Sequence, residues 1–223
     1  MSDSLKHRAV SRHFPYWLAT PTGGSMDAQY CSSLVRTLAY LREHDHHLPK
    51  YAMQAGPEIP NLHSMLDTIM RQTTVEQGIF WLGADHSWTV EDYLRIIDEA
   101  SGNAHSVIGA LYQASDGSRL VGEPLQDVVV PGPLQPARFL GWGFIYTPFS
   151  AFKAMTPPFW SWDYLHDPAA GGGQIVSPDV YFCKKARQAG VHVYLHRHIL
   201  DVGHGLRQPH KTSREWMQER GQL

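Results

Sequence analysis

The chain has 223 residues, 43% of them apolar and 18% charged, with a formal net charge of −2. That length suits one α/β domain or two very small ones, and so much apolar material excludes a globally disordered chain. The near-neutral balance gives no global electrostatic case for nucleic acid or membrane binding. No run of about 18 apolar residues suggests a transmembrane helix, and the polar Met1–Val10 carries no apolar core of a signal peptide, so a cytoplasmic location is expected.

Tyr16–Thr20 reads as a first strand, closed by the turn residues Pro21-Thr22-Gly23-Gly24. Cys31, Leu34, Val35, Leu38 and Leu41 recur at helical spacing, with Asp27 or Ser25 as the cap. Lys50–Ala55 is a second strand, ended by Gly56-Pro57. Asn61 then opens a helix with Leu62, Met65, Leu66, Ile69 and Met70 on one face. Gly78–Leu82 is the clearest buried strand and runs into Gly83-Ala84-Asp85-His86. Thr89 reads as an N-cap, with Trp88 and Tyr93 placed as a hydrophobic staple and Val90, Tyr93, Leu94 and Ile97 as the buried stripe. Ser106–Tyr112 is the next strand. This strand–helix alternation predicts a mostly parallel sheet covered by helices.

The second half is less regular. Val128–Val130 and Phe139–Tyr146 read as strands around a Pro131-Gly132-Pro133 turn, and Phe149–Met155 as a short helix. Pro157–Trp162 is an aromatic loop, and Asp167–Ser177, with Gly171-Gly172-Gly173, a flexible loop by composition. Asp179–Ala189 is a helix stopped by Gly190, and Val191–Leu195 a last strand. Cys31 and Cys183 have no C-x-x-C partner spacing and are expected as free thiols.

Three residues carry candidate chemistry. Asp85 ends an apolar strand, where ligands bind in α/β sheets, and a carboxylate there suits Mn²⁺ or Mg²⁺; it also suits a turn. Asp179 opens a helix after a glycine-rich loop, as a general base or as a cap worth roughly 1 kcal/mol. His204 lies between Gly203 and Gly205, where the backbone can approach a ligand; imidazole is a borderline ligand for Mn²⁺, and a structural role is the alternative.

In chain order these features resemble the GT-A glycosyltransferases, especially the compact family-2-like enzymes of bacteriophages. Gly83-Ala84-Asp85 stands for a D-x-D motif, and Gly141-Trp142-Gly143-Phe144 for a G-x-G-F strand. Pro158-Phe159-Trp160 stands for a P-W-F-like segment. Pro178-Asp179 with Phe182–Ala186 stands for E-D and F-C-x-x-A, and Gly203-His204 for a G-H pair. The likeness runs from about Tyr16 to His204. Two departures are plain: Gly83 replaces the first aspartate of D-x-D, and Pro178 replaces the glutamate of E-D.

The resemblance implies one GT-A domain over 14–206, α/β with a mostly parallel mixed sheet flanked by helices. Its donor half would be about 14–112 and its acceptor half about 113–206, between a 1–13 tail and a polar 207–223 tail. It implies a UDP-sugar donor, UDP-glucose first, beside Pro21, Thr22, Gly23 and Ala84. Asp85 and His204 would hold the metal, with His86 as a compensating group, and Asp179 would be the base of an inverting transfer. Trp142, Gly143, Trp160 and Trp162 would contact sugar or acceptor, and Gly171–Gly173 would form a lid. The implied acceptor is hydroxymethylcytosine in phage DNA, in the host cytoplasm, with Lys184, Lys185, Arg187, Arg197, Arg207, Lys211 and Arg214 as candidate phosphate contacts. Competing readings are a saccharide or protein acceptor, a non-catalytic nucleotide-sugar binder, and a metal hydrolase built on His44, His46 and His47 or His192, His196 and His198. The last lacks any H-E-x-x-H pattern.

Overall fold

A computed structural model describes residues 13–114, 120–125, 131–167, 172–204, 213–219 and 221. The expected strand at Val128–Val130, the Gly171 end of the expected lid, and Arg207 and Lys211 lie outside these residues. The first half runs β1 (Trp17–Thr22), α1 (Ala28–Glu43), β2 (Lys50–Ala55), α2 (Glu58–Gln72), β3 (Gly78–Leu82), β4 (His86–Ser87), α3 (Val90–Gly102), β5 (Ser106–Gly109) and β6 (Tyr112–Gln113). The second half runs β7 (Leu120–Val121), β8 (Glu123–Pro124), β9 (Leu134–Phe139), β10 (Phe144–Pro148), α4 (Phe149–Ala154), β11 (Asp163–Asp167), β12 (Gly172–Val176), α5 (Pro178–Gln188), β13 (His192–His196), β14 (Gly203–His204) and α6 (Ser213–Glu219).

Eight strands form one sheet in the order β2-β1-β3-β10-β5-β13-β9-β8. Six of them run in one sense; only β10 and β9 oppose the rest. The sheet is therefore mixed and mostly parallel, with helices on both faces. That arrangement explains the uninterrupted apolar runs, because a strand covered on both sides needs no polar face. In β3, Ile79 and Trp81 point into one core layer with α2, α4 and α5, while Phe80 and Leu82 point into the other with α1 and α3. Two of the buried indoles are satisfied by threonine hydroxyls. Trp81 Nε1 donates to Thr147 Oγ1 at 2.7 Å, and Trp88 Nε1 to Thr37 Oγ1 at 3.0 Å. No described helix is long and apolar enough to cross a membrane.

Several elements differ from the sequence expectation, each for a physical reason. Helix α1 turns Tyr30, Ser33, Thr37 and Leu41 inward and leaves Val35 66% exposed. Ser33 and Thr37 are drawn inside because they accept from the backbone and indole N–H groups of Trp88. Helix α2 begins at Glu58 rather than Asn61, since Asn61 N already bonds the Pro57 carbonyl at 2.9 Å within the helical ladder, while its Nδ2 bonds the Gln54 carbonyl at 2.8 Å. The single strand expected at Phe139–Tyr146 is two, β9 and β10, separated by the Leu140–Gly143 turn. Within the expected Asp167–Ser177 loop, Gly172–Val176 is instead a strand, β12, antiparallel to β11.

Helix α3 follows expectation. Thr89 Oγ1 accepts from Asp92 N at 3.0 Å and donates to Asp92 Oδ2 at 2.8 Å, while Tyr93, Leu94 and Ile97 are buried.

His196, at the end of β13, is 3% exposed. Burial, with smaller contributions from Arg95 and His198, pushes its imidazole from 6.5 down to about 4. The unfolded chain therefore binds the extra proton between those values, so this group's stability is complete above 6.5 and is lost as pH falls toward 4. In urea titrations across that range, replacing His196 with Gln should flatten the fall in unfolding free energy by up to about 1.4 kcal/mol per pH unit. An unchanged slope would remove His196 from the acid response.

Candidate active site

The site lies where the parallel strands end, the edge at which α/β sheets bind ligands. Strand β3 leaves the core at Leu82 and enters a tight turn. There Gly83 N bonds the Gly143 carbonyl at 2.9 Å, His86 N bonds the Gly83 carbonyl at 3.0 Å, and the Ala84 carbonyl accepts from Asp27 N at 2.9 Å. These bonds fix the backbone on both sides of Asp85.

Strand β4 then pairs with β14, and the register sets His204 directly opposite His86. The two rings stack with centroids 4.3 Å apart, and Tyr112 stands edge-on to both. Asp85 bridges them: Oδ1 lies 2.9 Å from His86 Nδ1 and Oδ2 lies 3.1 Å from His204 Nε2. Burial alone pushes the Asp85 carboxyl up, but the hydrogen bonds and charges of His204 and His86 outweigh it. They hold the group well below the usual carboxylate range, so it is anionic at any working pH.

The geometry meets the requirements of a cation site. One carboxylate and two imidazoles bring ligand atoms within 4.8 Å of one another, and among the described residues this is the one such cluster. His204 Nδ1 faces the Gln113 carbonyl at 3.0 Å, and a carbonyl only accepts, so Nδ1 carries the hydrogen. A neutral His204 then aims its Nε2 lone pair at Asp85, two acceptors face to face. A proton or a cation between them resolves that opposition. A backbone carbonyl behind a ligating histidine is the usual outer partner at metal sites. Two nitrogen donors favour Mn²⁺ over the all-oxygen preference of Mg²⁺.

Glycines make this arrangement fit. A Cβ on Gly83 or on Gly143 would run into the His86 ring, and one on Gly141 into the Tyr112 hydroxyl. That hydroxyl accepts from Gly143 N at 2.9 Å.

One cavity of about 580 Å³ gathers the sequence candidates. Pro21, Thr22 and Gly23 line it from the end of β1, Ala84 and Asp85 from β3, Trp142 and Gly143 from the turn before β10, Asp179 from α5, and His204 from β14. Thr22 Oγ1 donates to the Ser25 carbonyl at 2.6 Å and accepts from Gly24 N at 3.1 Å, which shapes the rim after β1. Asp179 sits in the first turn of α5 with its carboxylate bonded to Ser177 Oγ and, at 2.9 Å, to Val180 N. Two aromatic candidates lie elsewhere. Trp160 is 1% exposed and packs against Trp81, Trp142 and Phe182, so it belongs to the core; Trp162 is 58% exposed and does not line the cavity.

Sequence reasoning missed Glu58, Asn61 and Tyr112, which also line the cavity. Glu58 opens α2 just past β2, and burial, with the charge of Asp179, pushes its carboxyl up. An acid directly after a strand and a Gly-Pro stop is the same signal that marked Asp85. Nothing local marks Tyr112, because its role depends on where β14 returns.

No protein-family model matches the chain, and no curated protein matches it in sequence. Among solved structures it is similar to a crystal structure of GalNAc-T7 with UDP, GalNAc and Mn²⁺, with a TM-score of 0.53 at 12% identity. The match covers 87% of this chain and 44% of that one, so the chain spans less than half of its neighbour. A nucleoside-diphosphate-sugar pyrophosphorylase from Vibrio cholerae RC9 aligns at a TM-score of 0.38 and 11% identity, over 85% of this chain and 75% of that chain. The class defined by sheet order and neighbour is the GT-A fold.

Replacing Gly143 with Ala should displace His86 and weaken Mn²⁺ binding roughly tenfold or more, as disturbed metal shells do. Calorimetric titration with Mn²⁺ checks this, beside a circular dichroism spectrum to show that the fold persists. Wild-type affinity in a folded Gly143→Ala protein would contradict the steric argument.

Proposed function

We propose that this protein is a metal-dependent glycosyltransferase that moves a sugar from a UDP-sugar to a hydroxyl acceptor. The observation that carries it is the single cavity joining the Asp85–His86–His204 cluster to Asp179 and to the end of β1. The GT-A fold makes nucleotide-sugar chemistry the natural use of such a cavity.

In this reading Pro21, Thr22 and Gly23 flank the uridine, and Asp85, His204 and His86 hold Mn²⁺ beside the diphosphate. The bound ion would supply positive charge where the departing UDP becomes more negative. The carboxylate of Asp179 takes the acceptor hydroxyl proton as that oxygen bonds to the anomeric carbon. The bond from that carbon to the β-phosphate oxygen breaks, and UDP leaves with inversion. Trp142 and Gly143 border the sugar. The hydrogen bonds to Ser177 and Val180 leave the carboxylate's Oδ1 engaged and keep its orientation fixed.

The finer reading is UDP-glucose as donor and hydroxymethylcytosine in DNA as acceptor, from the resemblance of the Gly141–Phe144 and Pro178–Ala186 motifs. A second reading, a saccharide or protein acceptor, has an observation in its favour. Four of the basic side chains proposed for phosphate contact are engaged within the chain. Lys184 faces Asp163 at 3.6 Å, Lys185 bonds the Pro158 carbonyl at 2.7 Å, Arg197 bonds the Gly132 carbonyl, and Arg214 pairs with Asp201. A duplex that must give up a flipped base needs free cations along its phosphates.

The test is incubation with Mn²⁺ and UDP-glucose, beside hydroxymethylcytosine DNA, plain DNA and a panel of saccharides, followed by mass spectrometry. Hexose on the modified base alone supports the DNA acceptor, and hexose on a saccharide supports the second reading. Asp179→Asn should lower either rate by about 10²–10⁴, the usual worth of a positioned base. Binding of UDP with no transfer and no effect of Asp179→Asn would leave a non-catalytic nucleotide-sugar binder.

A further inference from the structure

We infer that Arg214, through Asp201, is a positioning residue that holds His204 against Asp85; the inference rests on the metal reading of that cluster. His204 lies on a strand of only two residues, too short to be held by its own ladder. On its N-terminal side the chain is anchored by Ile199 and Val202, both fully buried. On its C-terminal side the chain comes back. Arg214, in the first turn of α6, donates from Nε to Asp201 Oδ1 at 2.9 Å and from an Nη to Oδ2 at 3.1 Å. Arg214 N also bonds the Leu200 carbonyl at 2.8 Å. Arg214 therefore clasps residues 200–201, just ahead of His204.

The same return reaches the outer shell of the cluster. Helix α6 lies against β6, and its Met217 packs on the core. Strand β6 supplies the Gln113 carbonyl that fixes the His204 tautomer and the Tyr112 ring that stands against both imidazoles. A two-pronged arginine–carboxylate pair sets direction as well as distance. A pair this exposed, at 46% and 34%, adds little to global stability. Its effect should therefore appear in the ligand geometry more than in the melting temperature.

The experiment is Mn²⁺ binding to the whole protein without nucleotide or sugar, by electron paramagnetic resonance of the free ion, beside thermal melting. Arg214→Ala and Asp201→Ala should each weaken Mn²⁺ binding roughly tenfold, in line with the loss of outer-shell partners, and the double variant should be no weaker than either alone. Arg214→Lys should recover only part of the affinity, because an ammonium cannot make the two-pronged contact. Arg71→Ala, which removes an exposed ion pair with Asp67 on α2, is the control and should leave binding unchanged. Wild-type affinity in both single variants, or additive losses in the double, would overturn the positioning role and leave the metal reading standing. A wild-type protein that binds no Mn²⁺ would overturn both. An Arg214→Ala protein that melts well below wild type and shows no partial rescue by Arg214→Lys would assign the pair to general stability and overturn the inference.

Discussion

An anionic carboxylate held between two stacked imidazoles is the constraint on which the rest of this site depends. Asp85 is mostly enclosed, and a buried charge is costly unless it is paired and hydrogen-bonded. His86 and His204 provide that pairing, and their own placement then dictates what surrounds them. The ring of His86 needs the space above Gly83 and Gly143, and His204 needs a carbonyl behind it, which β6 supplies. Four separate stretches of chain, around residues 85, 112, 143 and 204, must arrive together for one ion pair to be satisfied. The mixed sheet makes this convergence feasible. The reversed strand β10 sits between β3 and β5, so its starting end, with Gly143, lies beside the finishing ends of the other two.

Much of this was legible in the sequence, and the legible parts share a property: their signal is local. Strand β3 is a continuous apolar run between turns. Helix α3 announces itself through Thr89 and the Trp88–Tyr93 spacing, and Asp85 and Asp179 stand at element ends. The illegible parts depend on distant partners. Apolar spacing placed Cys31, Leu34, Leu38 and Leu41 of α1 against the core but included the exposed Val35 and missed Ser33 and Thr37, which enter to satisfy Trp88, about fifty residues later. Strand β12 opens with Gly172 and Gly173, a composition that reads as a loop until a pairing strand is present. Trp160 sits among prolines in sequence, which reads as a loop, yet it packs against both Trp142 and Phe182 in the core.

Glu58 shows a different limit. It follows a strand end as Asp85 does, but β2 is a partly exposed edge strand without the continuous apolar run of β3. In the folded chain its carboxyl shares a cavity with Asp179, and burial, with the charge of Asp179, makes its ionisation more costly. The carboxyl groups of Glu58, Asp85 and Asp179 thus line one cavity. Such a lining suits a ligand that brings cations or hydroxyl groups. That polarity agrees with the proposed donor, whose phosphates would arrive neutralised by a divalent ion.

The replacement of the first aspartate of D-x-D by Gly83 now has a physical reading. In sequence it looks like the loss of a ligand. In the structure a side chain at position 83 would occupy the volume of the His86 imidazole, so aspartate at 83 and histidine at 86 exclude each other. The chain has the histidine, which sits one residue beyond Asp85 and opposite His204. The donor set changes with it: an imidazole takes the space that a second carboxylate would need, and nitrogen donors move preference away from Mg²⁺ and toward the softer divalent ions. Gly83 and His86 are therefore coupled in physical terms, and aspartate at 83 alone would displace the His86 ring, one of the proposed ligands, rather than add one.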